Sequence, residues 1–315
     1  MNEICDKNKY IETKINREMN MGLSIYEKKK LEEIKKWEKE YIYKKENQLL
    51  RKVGNKIKLH SENMKQKIDI DIKLCAQITK AIETALSGCI NLGQDFVAYT
   101  YDKNIAIKKL KMDHIRILED LHKVDVKYLE KISKNVANEN KIAALVEGFA
   151  LGMGDLAAAI ADIPIFFAIT FRVMQQIAAI YGYDPEDEVE KIFILELLSY
   201  GSALGTAGKV KVQSELLGLK VAIKKYPYKK LKEMGGKYAA AVLAKQIAKD
   251  CGTTLTKKTI IKGIPIIGGV FGATFNYEFI RKMANIANMM YMKRFIEDKD
   301  DSLLYDEVAF TVIDD

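Results

Sequence analysis

Apolar residues fall at three- and four-residue steps along most of this chain, the spacing of amphipathic helices rather than strands. The first stripe is Ile25, Leu31, Ile34, Trp37 and Tyr41, set among Lys and Glu and introduced by a capping-box pair, Ser24 and Glu27. So sparse a stripe predicts a helix docked on one side only, with the run KKKLEEIKKWEKE as its solvated face. Residues 56–73 are polar and weakly patterned, a linker or a continuing helix. Helical spacing returns over Leu74–Leu92, where Gly93 closes the element, and again over Ile105–Leu121 and Val126–Val136. The Asn-rich run VANENK that follows reads as a turn.

The polar punctuation then nearly stops. From Glu147 to Pro185 the chain is long, apolar and helical in pattern, and between Gly148 and Gly182 its charged residues are Asp155, Asp162 and Arg172. Such groups are costly to bury unless paired or hydrogen-bonded. The two aspartates, seven apart, fall within about 20° of each other on one helix, as a paired-carboxylate site would need. Asp162-Ile163-Pro164 also has the chemistry of a helix start, Asp capping and Pro in the first turn, so the segment is expected to be a helical hairpin broken at 162. A membrane crossing needs about twenty apolar residues, and any such window takes in two of the three charges, which roughly cancel the gain from its Leu, Ile, Phe and Val. A buried core hairpin, or one lying shallowly on a bilayer, fits better than a span.

Tyr181-Gly182-Tyr183-Asp184-Pro185 is the sharpest boundary in the chain, with Gly182 as a left-handed C-cap, Asp184 as the next N-cap and Pro185 as the first helical residue. The apolar run KIFILELLSYGSALG continues that helix, and Gly201, Gly205 and Gly208 suggest close helix contact or a loosened end. Lys237–Lys249 is amphipathic, small and apolar residues on one side and lysines on the other. Beyond it, Gly268, Gly272 and Asn276 recur at four-residue steps, a spacing that lets two helices approach closely. The closing LLYDEVAFTVID is either a short strand or a tail.

Composition narrows this to a globular, all-α protein: a multi-helix bundle built around the central apolar hairpin. It is 48% hydrophobic and 30% charged, with four prolines in 315 residues. Residues 1–23 are expected to be a flexible leader, without the apolar core of a signal peptide; 24–296 the helical domain, with 24–69 as a charged arm; and 297–315 an acidic tail. Four scattered cysteines suggest reduced thiols in a cytoplasmic protein rather than a disulfide scaffold. The net charge of +8 is concentrated: Lys209–Lys262 holds fourteen lysines against three acids. Lys224, Lys225, Lys229, Lys230, Lys237, Lys245 and Lys249 are the candidate contacts to an anionic membrane or other polyanion.

Chemical motifs are scarce. His114 and His122, eight apart, stand about 80° apart around a helix and share no tight metal face, so neither metal nor cofactor is expected. No nucleophile elbow, Walker A or dinucleotide fingerprint occurs. The basic region is rich in lysine, not arginine, and has no nucleic-acid reader motif. Arg172 is expected to pair internally with Asp162, Glu147 or Glu196, and Asn276 and Arg281 to make interhelical hydrogen bonds.

Two groups of residues together resemble the EcsC family of bacterial proteins. The first is Glu147-Gly148, Gly152, Asp162-Ile163-Pro164, Arg172, Ile177-Ala178 and Tyr181 through Pro185. The second is Ile264-Pro265, Gly268, Gly272, Asn276-Tyr277 and Arg281. The resemblance runs from Ser24 to Phe295. It implies an α-helical fold and no agreed catalytic activity; the family's namesake is encoded beside an ABC transporter. It marks Asp162, Arg172, Tyr181, Asp184, Asn276 and Arg281 as candidate functional or buried polar residues. The expectation is a non-enzymatic auxiliary protein at the inner face of the cell membrane, with an anionic membrane surface or a membrane transporter as partner. The alternative is a hydrolase acting on lipid or peptide through buried carboxylates.

Overall fold

The computed structural model describes residues 23–43, 64–91, 102–151, 163–226, 236–261, 273–300 and 303, with side chains over 23–43, 72–89, 102–138, 163–226, 240–253, 277–300 and 303. Among these residues the protein is an all-α bundle without strands. Its helices are α1 (Ile25–Tyr43), α2 (Met64–Asn91), α3 (Ile105–Leu110), α4 (Val126–Leu151), α5 (Ile163–Ile180), α6 (Glu188–Ser202), α7 (Gly205–Lys225), α8 (Gly236–Ile261) and α9 (Ala273–Glu297), with a 3₁₀ turn at Leu118–Lys123.

Helix α5 is the hub. It packs against α2, α3, α4 and α9, and apart from Pro164, Ile165 and Arg172 every one of its residues is buried. A helix apolar all round must be covered all round. Among the described residues it is the one helix long and apolar enough to cross a membrane, but 83% of that window is covered by the protein itself. The stretch before it, 152–162, lies outside the described residues, and with it Asp155 and Asp162. Helix α9 is the second organiser, packing on α1, α4, α5 and α6.

Close approach is bought with glycine at two crossings. A Cβ on Gly201 would sit 2.4 Å from Met283 Sδ, where α6 meets α9, and one on Gly252 would sit 2.2 Å from Thr79 Oγ1, where α8 meets α2. The α2–α8 contact is among the most extensive between the described helices.

Several local expectations change. The predicted Ile105–Leu121 helix ends at Leu110, because Lys111 turns into the left-handed region (φ 53°), and the chain re-forms as the 3₁₀ turn. VANENK is not a turn: α4 runs through it, since Val136 and Ala137 lie on the buried face and packing outweighs the weak helix propensity of Asn. Ser24 and Glu27 do form the capping box, Ser24 N–H donating to Glu27 Oε2 at 2.9 Å and Glu27 N–H to Ser24 Oγ at 3.2 Å. The buried stripe of α1, however, is Glu27, Leu31, Ile34, Glu38 and Ile42; Ile25 is 89% exposed. The proposed glycine step at Gly268 and Gly272 lies outside the described residues, as does the closing segment apart from Leu303.

Candidate functional site

The Tyr181–Pro185 turn ends α5 with a Schellman cap. Gly182, at φ +89°, donates its N–H to Ala179 O, and Tyr183 donates to Ala178 O, both at 3.1 Å. The N-cap of α6 is Asp187, whose Oδ1 accepts from Val189 N–H at 2.8 Å; Asp184, assigned that role from sequence, instead heads the turn before it and accepts from Glu186 N–H. Asp184 is exposed, 3.8 Å from Lys103.

The two tyrosines of this turn point inward to α9. The Tyr181 hydroxyl donates to Asn288 Oδ1 at 2.8 Å, and Tyr183 donates to Asp298 Oδ2 at 2.6 Å. Burial, reinforced for Tyr183 by the nearby Asp298 carboxylate, holds both phenols well above the usual tyrosine range, so they remain neutral donors. The His122 ring stacks on Phe295 and meets the edge of Tyr183. Burial pushes its pKa down, and the Asp298 carboxylate opposes that only in part.

From this turn an ionic seam runs along the C-terminal half of α9. Arg294 grips both oxygens of Glu190 at 2.7 and 2.9 Å, and its guanidinium lies 4.1 Å from the Tyr183 ring centre and 4.8 Å from that of Phe193. Tyr291 donates to the same Glu190 at 3.2 Å. One residue back, Lys293 donates to both oxygens of Glu38 on α1, at 2.9 and 3.1 Å. Glu297 accepts from Lys220 of α7 at 2.9 Å, and Lys224 donates to its carbonyl and stands 3.3 Å from Asp298. Each of these carboxylates is met by a cation. That is the condition under which buried charge persists, and it fixes how α1, α6 and α7 register on α9.

One carboxylate stands apart. Glu196 of α6 is buried, its Oε2 has no hydrogen-bond partner, and burial, with Glu215 adding to it, raises its pKa to about 7. Arg172 is not its partner, the charged groups that act on Glu196 being Glu215 and Lys211; the buried Nε of Arg172 is likewise without a hydrogen-bond partner, and the other expected partners lie beyond the described side chains. Arg281 is exposed and pairs within its own helix to Glu278 at 2.8 Å, not across helices. Asn276 sits on α9 and Lys237 on α8, their side chains outside the described set; Lys229 and Lys230 lie outside it altogether. Lys225, Lys245 and Lys249 are exposed. Lys224 is engaged as above and is 21% exposed. Among the described residues no group of three or more His, Cys, Asp or Glu is placed to hold a metal; Cys75, Cys89 and Cys251 form no disulfide, and Cys251 Sγ donates to Ser202 Oγ at 3.1 Å.

Sequence reasoning thus reached Tyr181 and the turn but passed over Glu38, Glu190, Lys293, Arg294 and Glu297. A usable signal did exist. Glu38 stands four residues from both Ile34 and Ile42, in phase with the buried stripe, and Lys293-Arg294 interrupts an otherwise apolar run, MMYM-KR-FI.

No solved structure matches the chain. The uncharacterized protein YdbA of Bacillus subtilis (strain 168) is 27% identical over 273 residues, covering 85% of this chain and 92% of that protein. Protein EcsC of the same organism is 35% identical over 66 residues, 21% of this chain and 28% of that protein. The model of the EcsC protein family matches residues 28–296, nearly the whole of the bundle described above. The chain belongs to the EcsC protein family.

Proposed function

We propose that this protein is a non-enzymatic auxiliary that works at an anionic membrane surface, as a partner of a membrane transporter or beside one. The observation that carries the reading is the outer face of α8. There Val242 is 48% exposed, and Lys245 and Lys249, three and seven residues on, share its side of the helix and are exposed with it. An apolar side chain flanked by lysines is what a helix lying on anionic lipid presents, each lysine contributing about 1 kcal/mol near such a surface.

Flotation with vesicles tests it. The protein is expected to float with phosphatidylserine-containing vesicles at low salt, to be released as salt rises, and to stay behind with neutral ones. K245E/K249E should lose most of the binding without losing the thermal transition. Equal recovery on neutral and anionic vesicles, indifferent to salt, would remove the reading.

The hydrolase alternative draws on Glu196, a buried carboxyl poised near neutrality. Against it, Glu38, Glu190 and Glu297 are each held by a lysine or arginine. Hydrolysis of a lipid or peptide ester that E196Q abolishes would favour it.

A further inference from the structure

Helix α1 rests on α9 and α7, and the surface it covers along those two helices is basic, while Lys30 and Tyr26 at its start meet Glu130 of α4. Lysines from both helices, and Lys299 just past the end of α9, point at it. Lys293 donates to Glu38, Lys299 donates to Glu27 at 2.6 Å, and Lys209 donates to Tyr41 O at 2.9 Å with its ammonium 4.6 Å from the Tyr41 ring centre. Lys282 approaches the same ring at 5.6 Å. Glu27 meets Lys299 and Glu38 meets Lys293, so α1 runs antiparallel to α9. Burial would raise the Glu27 carboxyl, but the bonds from Lys299 and Ser24 more than offset it and its pKa is lowered. The face that α1 presents has a definite code: carboxylates at positions 27 and 38, with aliphatic residues at 31, 34 and 42.

The opposite side of α1 is open. Ile25 and Tyr43 at its ends are 89% and 63% exposed, and the helix is covered on one side only. Leu31, Ile34 and Ile42 reach the core, but with five of its 19 residues buried, against 15 of 18 in α5, α1 belongs to the part of a fold that opens before the rest.

We propose that the basic groove between α7 and α9 is a docking site for an acidic amphipathic helix of a partner protein, and that α1 occupies it in cis. The partner helix carries two carboxylates three turns apart with aliphatic residues between them and one turn beyond, the pattern α1 itself displays. It anchors on Lys293 and Lys299 and takes the place of Leu31, Ile34 and Ile42. Because α1 is tethered, its effective concentration at the groove is on the order of millimolar, so a free helix competes well only when α1 is weakened. This inference rests on the geometry of α1 and is independent of how α8 meets a membrane.

The test uses the full chain and a labelled synthetic peptide of residues 24–43. The E27K/E38K variant, its own strap repelled by Lys293 and Lys299, is expected to bind the wild-type peptide at least about tenfold more tightly than a peptide carrying the same two reversals. Wild-type protein should bind it more weakly than the variant does. Equal affinity for both peptides, or none for either, would overturn the proposal. So would dimerisation of wild-type chain through exchanged α1 with no uptake of peptide, which would make a second copy the occupant. Should the variant fail to fold, hydrogen exchange on the wild-type protein decides. Amides of α1 are expected to exchange faster than those of α5 and α9, and exchange of α1 only at the rate of global unfolding would overturn it.

Discussion

Glu38 and Lys293 are 255 positions apart in the chain and meet in the interior at 2.9 and 3.1 Å. Their side chains are 6% and 2% exposed. Lys293 also stands 3.9 Å from Glu297, but its two short bonds go to Glu38. The pair joins the first of the described helices, α1, to α9.

Breaking such a pair is costlier than replacing it. K293M leaves the Glu38 carboxylate buried and unmet and is expected to destabilise the protein by about 3–5 kcal/mol in denaturant unfolding, less to the extent that α1 lifts away. The double variant E38M/K293M should recover most of that loss, since two apolar side chains need no partners. A double variant as unstable as K293M would show that the pair matters for something beyond its own desolvation.

Two glycines with positive φ should behave differently. At Gly182, φ +89°, an added Cβ meets His122 Nε2 and Leu118 O at 3.0 Å, so G182A combines backbone strain with a clash against a carbonyl. A loss of roughly 2–3 kcal/mol is expected. At Gly205, φ +68°, a Cβ meets nothing within 4 Å, and G205A should cost only the left-handed penalty, about 1 kcal/mol. Thermal melts of the two variants side by side check the contrast.

The α2–α8 crossing makes a prediction about rescue. A Cβ on Gly252 would lie 2.2 Å from Thr79 Oγ1 and 3.3 Å from Thr79 Cα and Cβ. G252A is expected to cost about 1–3 kcal/mol. T79A removes the offending hydroxyl and should return part of that in the double variant, whereas T79S, which keeps Oγ1, should return little.

Glu196 sets a pH dependence of definite sign. Its carboxyl titrates at about 7 in the fold against an ordinary value of 4.5, so between those values the folded protein binds the extra proton. The stability this confers is complete below pH 4.5 and is lost as pH rises towards 7. E196Q should flatten that part of the profile and make the protein more stable than wild type at pH 8, by on the order of 2 kcal/mol. His122 works in the opposite sense. Its lowered pKa favours the neutral ring in the fold, so its contribution is present above the ordinary histidine value and is lost as pH falls through the folded one. Unfolding curves from pH 5 to 8 on E196Q and H122F separate the two.

Much of the architecture was readable from windows of a few residues. Three- and four-residue spacing announced the helices, Ser24 and Glu27 announced the start of α1, and Gly182 announced the end of α5, because capping is satisfied by neighbours in the chain. Where a local signal and distant packing disagreed, packing prevailed. VANENK is helical because Val136 and Ala137 reach the core, and nothing in the residue type of Lys111 announces that it turns left-handed.

What the sequence by itself determined is an all-helical bundle, an apolar central helix, the Tyr181–Pro185 boundary and membership of a family. What only the tertiary structure decided is the fate of the charges. Glu38, unlike Glu40, is in phase with Ile34 and Ile42, but only the fold shows that Lys293 meets it there while Glu40 faces solvent. The physical reason is distance along the chain. Helix periodicity and caps are set by residues within a turn or two of one another, but the cost of burying a carboxylate depends on whether a cation arrives beside it, and here that cation is brought from the far end of the protein by the packing of α9.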